Sequence, residues 1–362
     1  MNYRIFGVGS GDKEIFKKFA ECAISAVVSG NDAEQIKRAR EAGLDYYICN
    51  GAFSCADESL FCRNVYDEPH CWFNSGCPNS ETIRKNNLES YRTIASANGI
   101  KGIITDGCRF ASPASSKEGI KAFFTCFCVN CMNKMDSMGF GAAGIKNSVK
   151  AFYDFITISA PFNTDEHIGN LKKWLEFRRI CATEHFKDIY ETVKSVNNNL
   201  SVGHYIFTPS LCGLVGQSYT DIVNYADFIS PMIYRNYRGG EGPACLNHEL
   251  AAILLYCENK NEAEKKNIID CFRRLTGIDY GLFGTREEIL NNGVPARVIK
   301  DEIIKARELA GGVPVIPIIL LDDEALDETI GYCAETPVET IDFFMYEDDA
   351  FEIARPVLLK YK

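Results

Sequence analysis

No run of the chain approaches the roughly 18 consecutive apolar residues of a membrane-spanning helix, so no spanning segment is expected. The opening residues MNYRIFGVGSGDKE lack a basic start followed by a plain apolar stretch, and no signal peptide is expected. Basic residues form no stripe: 39 Lys and Arg stand against 49 Asp and Glu, a net charge of −10. That balance argues against a nucleic-acid partner. The five histidines do not gather at strand ends, which disfavours a metal-dependent lyase or isomerase. The glycine-rich GVGSG at 7–11 lacks the third glycine of a dinucleotide-binding turn. No serine or cysteine stands in a nucleophile-elbow pattern. Low-complexity segments and linkers are absent too, so 1–362 is expected to be one domain with insertions.

What is present is a chain of 362 residues, 46% hydrophobic, long enough to bury a large core. It holds 16 cysteines. A long chain without an export signal is expected to keep its thiols reduced, in the cytoplasm. Cys22, Cys181, Cys257 and Cys271 fall in helical patterns and need no role beyond packing.

Eight β-rich runs alternate with amphipathic stretches: 3–9, 23–29, 45–50, 102–106, 201–207, 227–234, 313–321 and 342–347. Several are almost wholly apolar, as strands buried on both faces should be. Ser80 suits a helix N-cap, and Gly43 a helix stop. Eight strand–helix repeats predict a (β/α)8 TIM barrel, with a doubly wound sheet as the alternative. Long connections follow strands 3, 4 and 6, at about 51–80, 107–200 and 235–296. In a barrel all three would lie on the C-terminal face, where active sites form.

Acidic residues collect at predicted strand ends: Asp106 after strand 4, Asp322 and Asp323 after strand 7, and Glu347 to Asp349 after strand 8. Paired carboxylates suit glycoside hydrolysis, one as general acid and one as nucleophile or base. Strand-end acids also serve as helix caps, a role that fits Asp323 and Asp348. Asp106 is followed by Gly107, which permits a sharp turn, and by Arg109. Asp106, Glu347 and Asp322 are the candidate catalytic groups, with Glu241 an outsider. Arg109, His204, Tyr205, Tyr234 and Arg235 are the candidate substrate-binding residues. Trp72, Phe73 and Tyr237 are further rings that could stack on a sugar or simply pack their loops.

The run FFTCFCVNCMNKM places thiols at Cys126, Cys128 and Cys131. Residues two apart on a helix diverge, whereas three apart share a face, so a loop running into a helix near Cys128 is expected. This is the form of a structural zinc half-site. A fourth ligand could be Cys71, Cys77, Cys108 or His70. Unliganded thiols and redox chemistry are the competing readings.

Three stretches carry a family resemblance. CPNSETIRKNNLESYRTIASANGIKGIITDGCRF resembles a segment of the hypothetical glycosyl hydrolase families of bacteria. CFCVNC is similar to the thiol segment that follows it there, and YADFISPMIYR resembles their sixth strand. The resemblance covers roughly residues 44–235. The resemblance implies a TIM barrel acting on a small glycoside or oligosaccharide. In related fucosidase-like and amylase-like barrels the residue matching Asp106 is the nucleophile. The thiol segment also resembles that of zinc-bearing β-galactosidases, whose fourth cysteine comes from an earlier loop; this favours Cys77 or Cys71 over Cys108. Two departures stand out. Thr105-Asp106 replaces the Asn-Glu pair of those β-galactosidases, so their acid/base assignment does not carry over. YRNYRGG lacks a proline common after strand 6. The expectation is a glycosidase with a structural Zn2+ and no organic cofactor, taking a small carbohydrate, free of nucleic acid and membrane and open to homo-oligomer formation. The alternative is a carbohydrate-binding barrel without catalysis.

Overall fold

The computed structural model describes residues 1–7, 14–115, 120–237, 244–345 and 349–362. Eight parallel strands close into a barrel: β1 (Asn2–Phe6), β2 (Ile24–Ser29), β3 (Asp45–Gly51), β4 (Gly102–Asp106), β5 (Ser201–Phe207), β6 (Phe228–Met232), β7 (Ile318–Leu320) and β8 (Thr340–Phe344). Each strand pairs with its neighbours in sequence, and β1 closes the ring on β8 from Asn2–Thr340 to Phe6–Phe344. The protein is a (β/α)8 TIM barrel.

The apolar runs explain the strands. Val27, Ile48, Ile103, Val202 and Ile341 are fully buried, as expected where helices cover the outer face. The inward face alternates with these and carries polar groups. Arg4 lies inside the barrel over the rings of Tyr47 and Phe228, hydrogen-bonded to both Asp342 and Ser230. Gly203 makes room for this filling, because a Cβ there would fall 2.1 Å from the Phe228 ring. Strand β7 is shorter than the 313–321 the sequence predicts. Pro314 and Pro317 have no N–H for the ladder, and only an isolated bridge, Val315 to Ile229, precedes the paired segment.

Helix caps follow the sequence. Asp32 accepts from the N–H groups of Glu34 and Gln35, and the Ser80 hydroxyl from Ile83. The segment between β4 and β5 contains helices Val129–Ser137, Ala142–Ile158 and Thr164–Val196, the last packing on helix Glu81–Ala95. Between β3 and β4 a short antiparallel ladder joins Cys62–Arg63 to Pro69–His70. Among the described residues no helix is long and apolar enough to cross a membrane.

Candidate functional site

Two sites emerge, a thiol knot and the mouth of the barrel. In the knot, the sulfurs of Cys77, Cys126, Cys128 and Cys131 all lie within 4.8 Å of one another. Cys77 is 3.5 Å from Cys128, 3.5 Å from Cys131 and 3.6 Å from Cys126. Four sulfurs at about 2.3 Å from one tetrahedral ion would stand about 3.8 Å apart, so the set could hold a metal ion. Cys128 is the N-cap of helix Val129–Ser137, where the helix dipole favours a thiolate. The sulfurs also receive N–H groups, as metal-bound thiolates do: Arg63 N to Cys126 at 3.4 Å, Asn79 N to Cys77 at 3.4 Å and Asn79 Nδ2 to Cys131 at 3.2 Å. Arg178, fully buried, stitches the surrounding backbone, donating to the carbonyls of Phe123, Thr125 and Leu214. Cys71 and Cys108 stand outside the knot; Cys108 Sγ faces the Ala182 carbonyl instead.

At the C-terminal ends of the strands lies a pocket of about 330 Å³. Its base is apolar, from Phe6, Met232, Leu320 and Phe344, each at the end of its strand. Trp72, Phe73, Tyr234 and Tyr237 supply aromatic walls. Into this surface Asp106 and Arg109 bring charge.

Asp106 ends β4 and is half-buried. The chain turns sharply after it, through Gly107 at φ +68°, and the Gly107 N–H donates to Asp106 Oδ1 at 2.7 Å. Burial raises the carboxyl's pKa; the Arg109 charge and the Gly107 N–H oppose the rise without cancelling it. Arg109 is buried between two rings, its guanidinium 4.0 Å from the Trp72 centroid and 4.6 Å from that of Phe207. Its Nη1 donates to the Phe110 carbonyl at 3.0 Å and the Ser115 hydroxyl at 3.3 Å. Burial lowers its pKa to about 10, against the pull of Glu249 and Asp106.

The other residues singled out from sequence separate. Tyr234 joins the pocket wall, its ring 5.7 Å from Phe344. Tyr205 points into the barrel, 5.1 Å from Phe6 between centroids, but does not line the pocket. His204 does not reach the pocket at all. Next to inward Gly203 and Tyr205 it must face outward, where it packs on Phe186 at 4.6 Å and meets the Tyr225 carbonyl through Nε2 at 2.8 Å. Burial drops its pKa to about 4. Arg235 is a clamp rather than a pocket residue: Nε and Nη2 grip Asp323 at 2.8 and 2.9 Å, and Nη1 holds the Val294 carbonyl at 2.7 Å. Asp322 is exposed in the turn after β7 and is not among the pocket's walls. Glu347 and Glu241 lie outside the described residues, so Asp106 is the one carboxylate lining the pocket among those described.

Glu249 escaped notice in the sequence. It sits in the first turn of helix Leu246–Leu255, 1% exposed. Its carboxylate accepts from Ser112 Oγ at 2.6 Å and from the N–H groups of Ala114 and Ala244 at 3.1 Å each. It thereby ties the loop after Arg109 to the pocket residues Ala244 and Cys245. Its only sequence signal, an acid in a helix's first turn, is shared by many surface residues.

No known family's sequence profile matches the chain, and no curated protein matches it by sequence. Solved structures do match. A β-galactosidase from the psychrophilic Marinomonas ef1 superposes with a TM-score of 0.61 at 9% identity, over 100% of this chain and 59% of that one. One from the Antarctic haloarchaeon Halorubrum lacusprofundi gives 0.60 at 11%, over 100% and 58%. The PgaB (BpsB) glycoside hydrolase domain from Bordetella bronchiseptica gives 0.57 at 10%, over 99% and 98%. The chain thus spans about three fifths of the length of those β-galactosidases and nearly all of the bacterial domain. At this identity the likeness establishes the fold: a TIM barrel of the form these glycoside hydrolases use.

Proposed function

We propose that the protein is a glycoside hydrolase working at the barrel mouth, with Asp106 as an essential carboxyl. The observation that carries this reading is the position of Asp106 at a strand end, in an aromatic-walled pocket and beside a buried arginine. Aromatic faces suit the apolar faces of sugar rings, and a carboxyl with a raised pKa suits proton donation. That character favours general acid over the nucleophile role that the family resemblance implies. Glu347, three residues beyond β8, is the proposed partner carboxylate. The thiol knot would hold one structural zinc through Cys77, Cys126, Cys128 and Cys131. A bound metal there would supply no catalytic step; it would pin the segment after β4 to the loop after β3.

A panel of aryl glycosides assayed with wild type, Asp106→Asn and Glu347→Gln tests the reading. Wild type is expected to release the aryl group from at least one, and Asp106→Asn to lose about 10²–10⁴-fold in rate. Full turnover by Asp106→Asn would remove Asp106 from the mechanism. A second reading is a sugar-binding barrel without catalysis, which the same aromatic walls would serve. Calorimetry detecting sugar binding with no turnover of any glycoside would select it.

A further inference from the structure

Four arginines are buried among the described residues: Arg4, Arg109, Arg178 and Arg235. A buried guanidinium is costly unless its donors are met and its charge is paired. In three of the four, both Nε and Nη2 have acceptors. Arg4 grips both oxygens of Asp342 and also reaches Ser230. Arg235 grips both oxygens of Asp323 and a backbone carbonyl. Arg178 spends Nε, Nη1 and Nη2 on three backbone carbonyls.

Arg109 differs. It is 4% exposed and lines the pocket, yet only its Nη1 is hydrogen-bonded, to one carbonyl and one hydroxyl. Nε and Nη2 have no acceptor, and no carboxylate ion-pairs with it, among the described residues. Asp106 and Glu249 act on it only through space, and the Glu249 oxygens already accept three donors. Trp72 and Phe207 flank the guanidinium, so what stays available is its planar donor edge. That edge is the geometry that receives a planar two-oxygen anion in two parallel hydrogen bonds.

We infer that the pocket selects a sugar bearing a carboxylate, a uronic acid, with Arg109 as the residue that receives it. The sugar ring of this ligand rests on the proposed glycosidase reading; its acidic group rests on Arg109 alone. The aromatic walls would take the ring and the donor edge its carboxylate, in a volume suited to a small ligand. A second carboxylate brought beside Asp106 would push its proton affinity further up, in the direction a proton donor needs.

Calorimetry on the full chain compares D-glucuronate and D-galacturonate with glucose and galactose, and adds glucose 6-sulfate and glucose 6-phosphate. At least one uronate is expected to bind about tenfold or more tighter than its neutral sugar, and more tightly than the tetrahedral anions. Arg109→Gln is expected to erase the preference and Arg109→Lys to keep part of it. Equal binding of uronates and neutral sugars to wild type overturns the inference, as does no binding of either. Tighter binding of the sulfate or phosphate overturns the carboxylate assignment. The wild-type comparison decides even if Arg109→Gln does not fold. Aryl uronides give a separate reading. Uronide binding without cleavage ends the hydrolase proposal and supports this one; cleavage of neutral glycosides with no gain from a carboxylate does the reverse.

Discussion

Two places in the barrel interior hold an arginine and an aspartate, and they treat them differently. Low in the barrel, Arg4 and Asp342 close on each other with Ser230 beside them, the guanidinium against the rings of Tyr47 and Phe228. At the mouth, Arg109 and Asp106 line one pocket, but each is held by its own local backbone, Arg109 through Phe110 and Asp106 through Gly107. The lower charges complete each other and leave nothing to offer a ligand. The upper charges make no ion pair with each other, and both residues line a cavity. The difference separates a charge pair that fills a core from charges arranged for binding.

The contrast breaks most readily at its lower end. Asp342→Ala would leave Arg4 buried and unpaired and is expected to cost about 3–5 kcal/mol in urea denaturation. Replacing both, Arg4→Met with Asp342→Leu, should recover most of that loss. If Asp342→Ala costs under about 1 kcal/mol, the lower pair is not the closed unit described. Removal of metal by a chelator, or Cys128→Ser, should lower the melting temperature by several degrees, with elemental analysis of untreated protein giving about one zinc per chain. No metal in the purified protein would return the knot to a packed thiol cluster.

At the mouth, Asp106→Asn should cost turnover but not stability. With its folded pKa raised, the carboxyl binds a proton more tightly folded than unfolded. Ionisation therefore opposes folding, and its cost grows as pH rises from the ordinary carboxylate range through the raised value. Asp106→Asn should then equal or exceed wild type in stability at neutral pH, the margin shrinking in acid. A loss of several kcal/mol would make Asp106 structural, like Asp342. A separate effect, confined to acid pH, belongs to outward-facing His204. Burial lowers the pKa of His204 to about 4 and that of His185 to about 3, so both stay neutral in the fold while the unfolded chain takes up protons. Stability should fall as pH drops below about 6.5 toward 4, and His204→Gln should reduce that slope by up to about 1.4 kcal/mol per pH unit. An unchanged slope would mean that His204 titrates normally and is not sealed beneath helix Thr164–Val196.

Much of the frame was legible in the sequence. Eight apolar runs and their spacing predict the barrel, Ser80 caps a helix as its residue type suggests, and Asp106 ends β4 at the mouth. The choice among pocket residues was less legible. His204 and Tyr205 are adjacent, and only the register of β5 sends one outward and the other inward. Arg235 looked like a substrate ligand because its partner Asp323 lies 88 residues further on. Sequence alone also left the fourth thiol open among Cys71, Cys77 and Cys108.

What the sequence by itself determined is what short-range physics controls: strand and helix periods, caps, a glycine turn after a strand-end acid, and three thiols gathered within six residues. These depend on residues within a turn or two of each other. What the tertiary structure alone decided is which charges are spent and which are left over. Arg4, Arg109, Arg178 and Arg235 are one residue type, all buried, and nothing local tells them apart. Three meet acceptors brought in by chain closure, from Asp342, Asp323 and the backbone of residues 123–125 and 214. Arg109, stacked between Trp72 and Phe207, meets only two on one nitrogen. Desolvation and hydrogen bonding depend on what arrives in space, so the candidate binding group appears only once the barrel has closed.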